Sequence, residues 1–218
     1  MKFQPRCVIF DMDGTITHSN QLIYDAFNLL AEKYLHKRLT PEEIVSFFGP
    51  PEQEAVITMI GSEHIDQAMK EYYEFYERHH NTLSGLYPGL KEVFEFLRSQ
   101  KILLGIFTGK GRRTTDISLK ILNLAHYFDV VMTGDDVDEF KPSGDGIKKI
   151  MAQYSLKPDE VLMVGDSVGD VRASHDAGVR MAAVLWDSYG KEKVLQMETD
   201  FQFHDVPGFS EWLVGLYS

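Results

Sequence analysis

Residues 7–15 read Cys-Val-Ile-Phe-Asp-Met-Asp-Gly-Thr, and this stretch decides how the chain is organised. Its first four residues are apolar, which is typical of a buried strand. Two carboxylates, Asp11 and Asp13, follow where that strand would end. Open α/β sheets bind their ligands at the carboxyl ends of the strands, so the pair is a candidate functional site. Taken alone, Asp and Gly here are also compatible with a plain turn that ends the strand.

Similar apolar runs recur along the chain, at residues 102–107, 129–132, 161–164 and 181–185. Between them, apolar residues recur at the spacing of one helix face, in residues 90–97, 117–124 and 147–154. Strands that alternate with helices predict a parallel sheet covered on both faces. The predicted fold class is therefore α/β with a Rossmann-like parallel sheet, and residues 209–216 are expected to form a closing helix.

The alternation is interrupted after the first strand, where the periodicity is helical throughout. We predict a helical insert at residues 17–86 and a core formed by residues 1–16 and 87–218. The segment Thr40-Pro41-Glu42-Glu43 is typical of a helix start, because it combines a capping hydroxyl, an early proline and an acidic third residue.

Three features of the insert carry further expectations. Ser19 is a predicted N-cap of its first helix. An aromatic stripe predicts packing inside the insert and consists of Tyr72, Phe75, Tyr76 and His79. The pair His79-His80 is interpreted as a solvated helix end. Residues 47–51, Phe-Phe-Gly-Pro-Pro, form either a plain turn or a loop that faces a ligand.

Composition restricts the class of function. The chain has 22 Lys and Arg against 33 Asp and Glu, a net charge of −11, and nucleic-acid binding needs clustered cations instead. Cys7 is the single cysteine, so no intrachain disulfide can form, and we expect it to be a small buried apolar residue. No apolar stretch approaches the roughly 20 residues of a membrane span, and no signal-peptide pattern is evident. We therefore expect a cytoplasmic protein with neither a nucleic acid nor a membrane as partner.

A second pair of carboxylates follows another predicted strand. Residues 164–170 read Val-Gly-Asp-Ser-Val-Gly-Asp, and a helix that begins near Ser167 would turn Asp170 back toward Asp166. Four carboxylates would then converge at two strand ends and repel one another. A hard cation with oxygen ligands removes that repulsion, and Mg²⁺ suits a site with a few carboxylates, waters and a substrate phosphate.

Two further segments supply groups that suit a phosphate. Thr108 and Gly109 follow a predicted strand with a hydroxyl and backbone amides at a helix start, which suit phosphate oxygens. Lys141 precedes the next helix, and a lysine there can neutralise a phosphate and a carboxylate together. Taken alone, Lys141 would more often be a surface lysine, and Thr108 a structural residue.

In combination, these segments resemble the four motifs of the haloacid dehalogenase (HAD) superfamily, in the same order and across essentially the whole chain. The matching positions are Asp11 to Thr15 for the first motif, Thr108 for the second, Lys141 for the third and Asp166 with Asp170 for the fourth. The helical insert resembles the C1 cap of that superfamily, and residues 133–137 and 176–178 resemble phosphoglycolate-phosphatase-like members. The resemblance implies a HAD-like core with a helical C1 cap inserted after the first strand.

The resemblance also implies a role for each matching residue. Asp11 would attack phosphorus and form an aspartyl-phosphate, while Asp13 would protonate the leaving alcohol and then activate water. Thr108, Gly109 and Lys141 would hold the substrate. The ligands of Mg²⁺ would be Asp11, the backbone carbonyl of Asp13, Asp166 and Asp170.

The expected reaction is Mg²⁺-dependent hydrolysis of a small phosphorylated metabolite, a phosphomonoester such as phosphoglycolate. Asp13 favours an oxygen leaving group, because related dehalogenases release a halide that needs no proton and lack this carboxylate. The alternatives are a phosphosugar mutase resembling β-phosphoglucomutase, a pyrophosphatase on the same scaffold and, least favoured, a non-catalytic binding protein. His18-Ser19 stands where relatives commonly have Asp-Ser, which leaves the substrate open.

Overall fold

The computed structural model describes residues 3–217 and contains a six-stranded parallel sheet. The strands of the chain are β1 (Cys7–Phe10), β2 (Thr17–His18), β3 (Gly85–Leu86), β4 (Leu103–Phe107), β5 (Val130–Met132), β6 (Val161–Gly165), β7 (Arg180–Val184) and β8 (Phe201–Phe203). The six-stranded sheet has the order β5-β4-β1-β6-β7-β8, and all its pairings are parallel. The α/β fold class predicted from the alternation is confirmed.

Helices cover both faces of this sheet. They are α1 (Asn20–Leu35), α2 (Pro41–Val45), α3 (Glu52–Ile60), α4 (Ile65–Leu83), α5 (Leu90–Ser99), α6 (Arg112–Ile121), α7 (Asp145–Tyr154), α8 (Val168–Ala177), α9 (Lys191–Val194) and α10 (Val206–Leu216). Phe10 packs with α5 and α10 in one cluster of buried side chains, and Ile9 packs with α7 and α8 in another. Because β1 is covered on both faces, all four of its residues are buried, which explains its uninterrupted apolar run.

The register of the central strands decides where the polar residues meet. Phe10 of β1 pairs with Ile106 of β4 on one side and with Val164 of β6 on the other. The three strands therefore end side by side. The residues that follow them are brought to one edge of the sheet, where α/β proteins bind ligands.

The helices α1 to α4 lie between β2 and β3 in the chain, after β1, as expected. These two short strands form an antiparallel ribbon in which Thr17 pairs with Leu86. The four helices share a cluster of buried side chains that includes Phe27 and Tyr72. The segment has its own apolar packing, and its division from the core at residues 17 and 86 stays a prediction.

Several local expectations are confirmed and others are wrong. The five predicted strands and the closing helix are present, Thr40 forms a capping box with Glu43, and Cys7 is buried. The strand β8 and the ribbon were not predicted, because elements of two or three residues are too short to show a period. Within residues 3–217, none of the helices combines the length and apolar character that a membrane span requires.

The interpretation of His79-His80 as a solvated helix end is wrong for His80. The buried face of α4 is formed by Tyr72, Tyr76 and His80, at steps of four residues, and Phe75 and His79 are only partly buried. The aromatic stripe therefore packs inward along a face slightly rotated from the predicted one. His80 is fully buried, and its Nε2 lies 2.9 Å from the hydroxyl of Ser118.

Candidate active site

The predicted site residues meet at the carboxyl ends of β1, β4 and β6. Asp11 follows β1, Thr108 follows β4 and Asp166 follows β6, and all three are buried. The backbone N–H of Asp11 donates to the carbonyl of Val164 at 2.8 Å, which continues the parallel pairing one residue beyond β1. The sheet register thus brings together carboxylates that are 155 positions apart in the chain (166 − 11).

Gly14 is required by this close approach. Its backbone has a φ of +81°, and a Cβ atom there would lie 2.6 Å from Oδ2 of Asp166. Only glycine accommodates both the positive φ and the contact. The neighbouring Thr15 donates its hydroxyl hydrogen to Oδ1 of Asp166 at 3.1 Å. The Asp-Gly-Thr part of the first motif therefore places the backbone against the carboxylate of the fourth.

Lys141 is a buried bridge between two carboxylates and not a surface lysine. Its side chain is 7% exposed, and its ammonium donates to Oδ1 of Asp11 at 2.8 Å and to Oδ1 of Asp170 at 2.6 Å. A third bond goes to the carbonyl of Phe107 at 2.8 Å. Burial by itself would lower the pKa of Lys141, but Asp11 and Asp170 outweigh burial and raise the pKa above its usual value. Lys141 is therefore held as a cation.

Asp170 lies in the first turn of α8, as the spacing predicts. Ser167 is the N-cap of that helix and forms a capping box with Asp170. The carboxylate oxygen Oδ2 accepts hydrogen bonds from the backbone N–H of Ser167 at 2.9 Å and from its hydroxyl at 2.7 Å. Since Oδ2 is bound to the helix start, Oδ1 is left to face Lys141.

The carboxylates of Asp11, Asp166 and Asp170 form a cluster suited to a cation. One oxygen from each lies within 4.8 Å of the others. Burial raises the pKa of Asp11 to about 7 against the opposing effect of Lys141, and burial together with the two neighbouring carboxylates raises the pKa of Asp166. Oδ2 of Asp166 is buried without a hydrogen-bond partner. One lysine does not neutralise three buried carboxylates, so the donor set fits a hard divalent ion such as Mg²⁺.

Asp13 lies apart from this cluster. Its Oδ1 accepts a hydrogen bond from the hydroxyl of Ser19 at 2.5 Å, and its Oδ2 lies 3.1 Å from the ammonium of Lys110. The side chain of Asp13 is not among the clustered carboxylates, so its backbone carbonyl remains the predicted ligand. Ser19 occupies the N-cap position of α1, but its hydroxyl makes no cap bond because it is committed to Asp13.

Sequence reasoning missed Lys110, which contacts Asp13, and it missed Glu52 and Tyr76, which lie next to Lys110. The ammonium of Lys110 donates to the hydroxyl of Tyr76 at 2.8 Å and lies 3.9 Å from Glu52. Burial alone would lower the pKa of Lys110, but Asp13, Tyr76 and Glu52 outweigh burial and raise it. Lys110 could have been noticed as a cation two residues after Thr108 at a strand end. Glu52 shows no such signal, because an acidic residue in a first helical turn is ordinary.

The site opens into a cleft of about 1200 Å³ between the sheet edge and the helical insert. Thr108, Gly109 and residues 47–50 are among the residues that line it, so the segment 47–50 faces the cleft. A Cβ atom on Gly109 would lie 3.0 Å from the carbonyl oxygen of Gly49, which shows how closely the segment approaches Gly109.

Comparisons with known proteins identify the family and support the fold. The sequence model of the haloacid dehalogenase-like hydrolases matches residues 8–184. The pyrophosphatase PpaX of Anoxybacillus flavithermus is 34% identical over 199 residues, which cover 91% of this chain and 92% of the relative. A predicted phosphoglycolate phosphatase from Haemophilus somnus has a TM-score of 0.84 at 20% identity, with 95% of this chain and 97% of its own covered. CbbY from Rhodobacter sphaeroides, in complex with phosphate, has a TM-score of 0.81 at 20% identity, with 99% and 100% covered.

Proposed function

This chain belongs to the haloacid dehalogenase-like hydrolases, and on that premise we propose that it is a Mg²⁺-dependent phosphatase that hydrolyses a small phosphomonoester at Asp11. The observation that carries the proposal is the contact of the Lys141 ammonium with Asp11 and Asp170 beside the unpartnered oxygen of Asp166. A fixed cation on a buried carboxylate prepares that carboxylate to approach an anionic phosphate.

The reaction has two steps. First, a carboxylate oxygen of Asp11 bonds to phosphorus while the bond from phosphorus to the leaving oxygen breaks, and Asp13 gives that oxygen a proton. Second, Asp13 takes a proton from a water whose oxygen attacks phosphorus. The bond between Asp11 and phosphorus breaks, and phosphate is released.

The remaining groups of the site bind the phosphoryl oxygens and the metal ion. Thr108, Gly109 and Lys141 line the cleft. The hydroxyl of Thr108, the backbone amide of Gly109 and the ammonium of Lys141 are the proposed partners of the phosphoryl oxygens. Asp11, Asp166, Asp170 and the backbone carbonyl of Asp13 would hold Mg²⁺, which would supply positive charge that masks the repulsion between Asp11 and the phosphate.

Pyrophosphate is a second candidate substrate. The observation in its favour is the 34% identity to a pyrophosphatase over 91% of this chain. Hydrolysis of pyrophosphate releases a phosphate as the leaving group. Because phosphate is a weaker base than an alkoxide, protonation by Asp13 would contribute less to the first step. Phosphoglycolate rests on fold likeness and on the sequence resemblance, and a phosphosugar mutase remains the third alternative.

The experiment is a panel of substrates assayed with Mg²⁺ for the wild-type protein and for Asp11→Asn. The panel contains alkyl phosphates including phosphoglycolate, sugar phosphates and pyrophosphate, and released phosphate is measured for each. We expect phosphate release by the wild type and a loss of at least about 10³-fold in the variant, since its nucleophile is gone. Equal release by both proteins would remove Asp11 as nucleophile. Isomerised sugar phosphate with little free phosphate would favour the mutase.

A further inference from the structure

Lys110 lies beside Asp13 and has no part in the steps above. Its side chain is 5% exposed. Its ammonium lies 3.1 Å from Oδ2 and 3.4 Å from Oδ1 of Asp13, while the hydroxyl of Ser19 holds Oδ1 at 2.5 Å. Each oxygen of the Asp13 carboxylate therefore has a donor in a fixed position, and charge-assisted bonds of this kind restrict the orientation of the group.

The helical insert holds Lys110 in that position. Tyr76 of α4 accepts a hydrogen bond from the Lys110 ammonium at 2.8 Å, and the ammonium lies 4.6 Å from the centre of its ring. Glu52 at the start of α3 accepts a hydrogen bond from the backbone N–H of Gly111 at 2.7 Å and another from the hydroxyl of Thr114. Two helices of the insert are thus attached to the short segment that carries Lys110.

A further polar contact fixes the side chain of Tyr76. Its hydroxyl lies 3.0 Å from the hydroxyl of Ser118 on α6, which in turn lies 2.9 Å from Nε2 of His80. All three side chains are buried. A continuous series of polar contacts therefore runs from His80 on α4 to Asp13, and Tyr76 cannot turn away from Lys110 without leaving a buried hydroxyl unpaired.

We propose that Lys110 is a positioning residue: it orients the carboxyl group of Asp13 toward the leaving oxygen, and the insert keeps Lys110 in place through Tyr76 and Glu52. The inference rests on the proposed phosphatase function. It predicts that proton transfer to the leaving group depends on Lys110, whereas the attack of Asp11 does not.

The test compares two substrates whose leaving groups differ in their need for a proton. An alkyl phosphate must lose a protonated alcohol, whereas p-nitrophenyl phosphate loses a stable phenolate. The measured quantity is kcat/KM, which includes the steps up to departure of the leaving group. For Lys110→Met we expect a loss of about 10- to 100-fold with the alkyl phosphate and of less than about 3-fold with the aryl phosphate.

Three more variants complete the set. Asp13→Asn should show the same pattern with a larger loss, about 10²- to 10⁴-fold with the alkyl phosphate. Tyr76→Phe removes one hydroxyl and should lower the alkyl value alone, by about 3- to 10-fold. Lys148→Met removes an exposed lysine paired with Asp176 and should leave both values unchanged. Thermal unfolding verifies that each variant is folded, and Tyr76→Phe decides the question if Lys110→Met does not fold.

The possible outcomes separate the inference from its premise. Equal losses with both substrates, or no loss with either, in folded Lys110→Met or Tyr76→Phe would overturn the positioning role while the phosphatase function stands. If the wild-type protein hydrolyses neither the alkyl nor the aryl phosphate, the proposed function is overturned and the inference with it. A loss confined to the alkyl phosphate supports both.

Discussion

Asp11 and Asp13 are two residues apart, yet they lie in differently built halves of the site. We call the half that holds the proposed nucleophile, Asp11, the nucleophile half. It also contains Lys141, Asp166 and Asp170, and every one of these residues lies outside the insert. We call the half that holds the proposed acid and base, Asp13, the acid/base half; there Asp13 contacts Ser19 and Lys110. In that half, contacts from the helices of the insert reach Lys110.

The difference shows how one short motif can serve two tasks. The nucleophile half is held by the register of the sheet and by the start of α8, so it is complete without the insert. The acid/base half is complete only when Tyr76 and Glu52 meet Lys110. In the proposed mechanism, attack on phosphorus is thus prepared by the core, and protonation of the leaving group is prepared by the contact between core and insert.

The largest effect is expected from a substitution in the nucleophile half. Lys141→Met removes the cation that contacts Asp11 and Asp170, and we expect kcat/KM to fall by about 10²- to 10³-fold. In contrast to Lys110→Met, the loss should be equal for the alkyl and the aryl phosphate, because the attack itself is impaired. Thermal unfolding in the presence of Mg²⁺ verifies that the variant is folded. A loss restricted to the alkyl phosphate would contradict the assignment of the two lysines to different halves.

Asp166→Asn tests whether the nucleophile half binds a metal. Loss of even an outer partner of a metal ligand costs about 10- to 100-fold in metal affinity, so loss of a direct ligand should weaken Mg²⁺ binding by at least about that factor. Without metal, the variant should be more stable than the wild type, since the raised pKa of Asp166 shows that its charge is disfavoured. Thermal unfolding with and without Mg²⁺ measures both effects.

The matched control is Asp159→Asn, which changes an exposed carboxylate. It should change neither the affinity for Mg²⁺ nor the stability without metal. An Mg²⁺-induced stabilisation of Asp166→Asn as large as that of the wild type would exclude Asp166 as a ligand.

Glu52→Gln tests the attachment of the insert. One oxygen of Glu52 accepts from the Gly111 backbone and the other from Thr114, and the carboxylate lies 3.9 Å from the ammonium of Lys110. A neutral amide would weaken both hydrogen bonds and remove one of the negative charges near the buried Lys110. We expect a loss of about 1–3 kcal/mol in the free energy of unfolding, measured by urea denaturation. Glu54→Gln lies in the same first turn of α3 but is exposed, and it should leave the stability within about 0.5 kcal/mol. Equal effects of the two substitutions would argue against the attachment.

The smallest expected effect concerns His80 at the far end of the acid/base half. Burial, aided by Lys110 and opposed by Asp13, lowers the pKa of His80 from 6.5 to about 4. As pH falls through this window, the unfolded chain binds a proton that the folded chain resists, so stability is lost toward acid. We expect His80 to account for about 1 kcal/mol of the loss between about pH 7 and about pH 5.7. Urea denaturation at both pH values should show that His80→Gln loses less free energy of unfolding than the wild type does. The control is His79→Gln, at a partly buried position, which should lose as much as the wild type.

Much of the nucleophile half could be predicted, because each of its residues follows a recognisable apolar strand or begins a helix. The acid/base half could not. Glu52 looks like any acidic residue at a helix start, and Tyr76 looks like one aromatic residue among several in α4. Their meeting with Lys110 depends on how α3 and α4 pack against α6, which no local pattern in the sequence records.

The sequence by itself determined the alternation of strands and helices, the interruption after the first strand and the identity of the four motif segments. These follow from hydrophobic period and from residue type at strand ends, which are local properties. Only the tertiary structure decided that Lys141 is buried between two carboxylates, that Ser19 serves Asp13 instead of its own helix, and that Lys110 joins Asp13 to the insert. Those contacts link residues distant in the chain, and the register of the sheet and the packing of the helices bring them together.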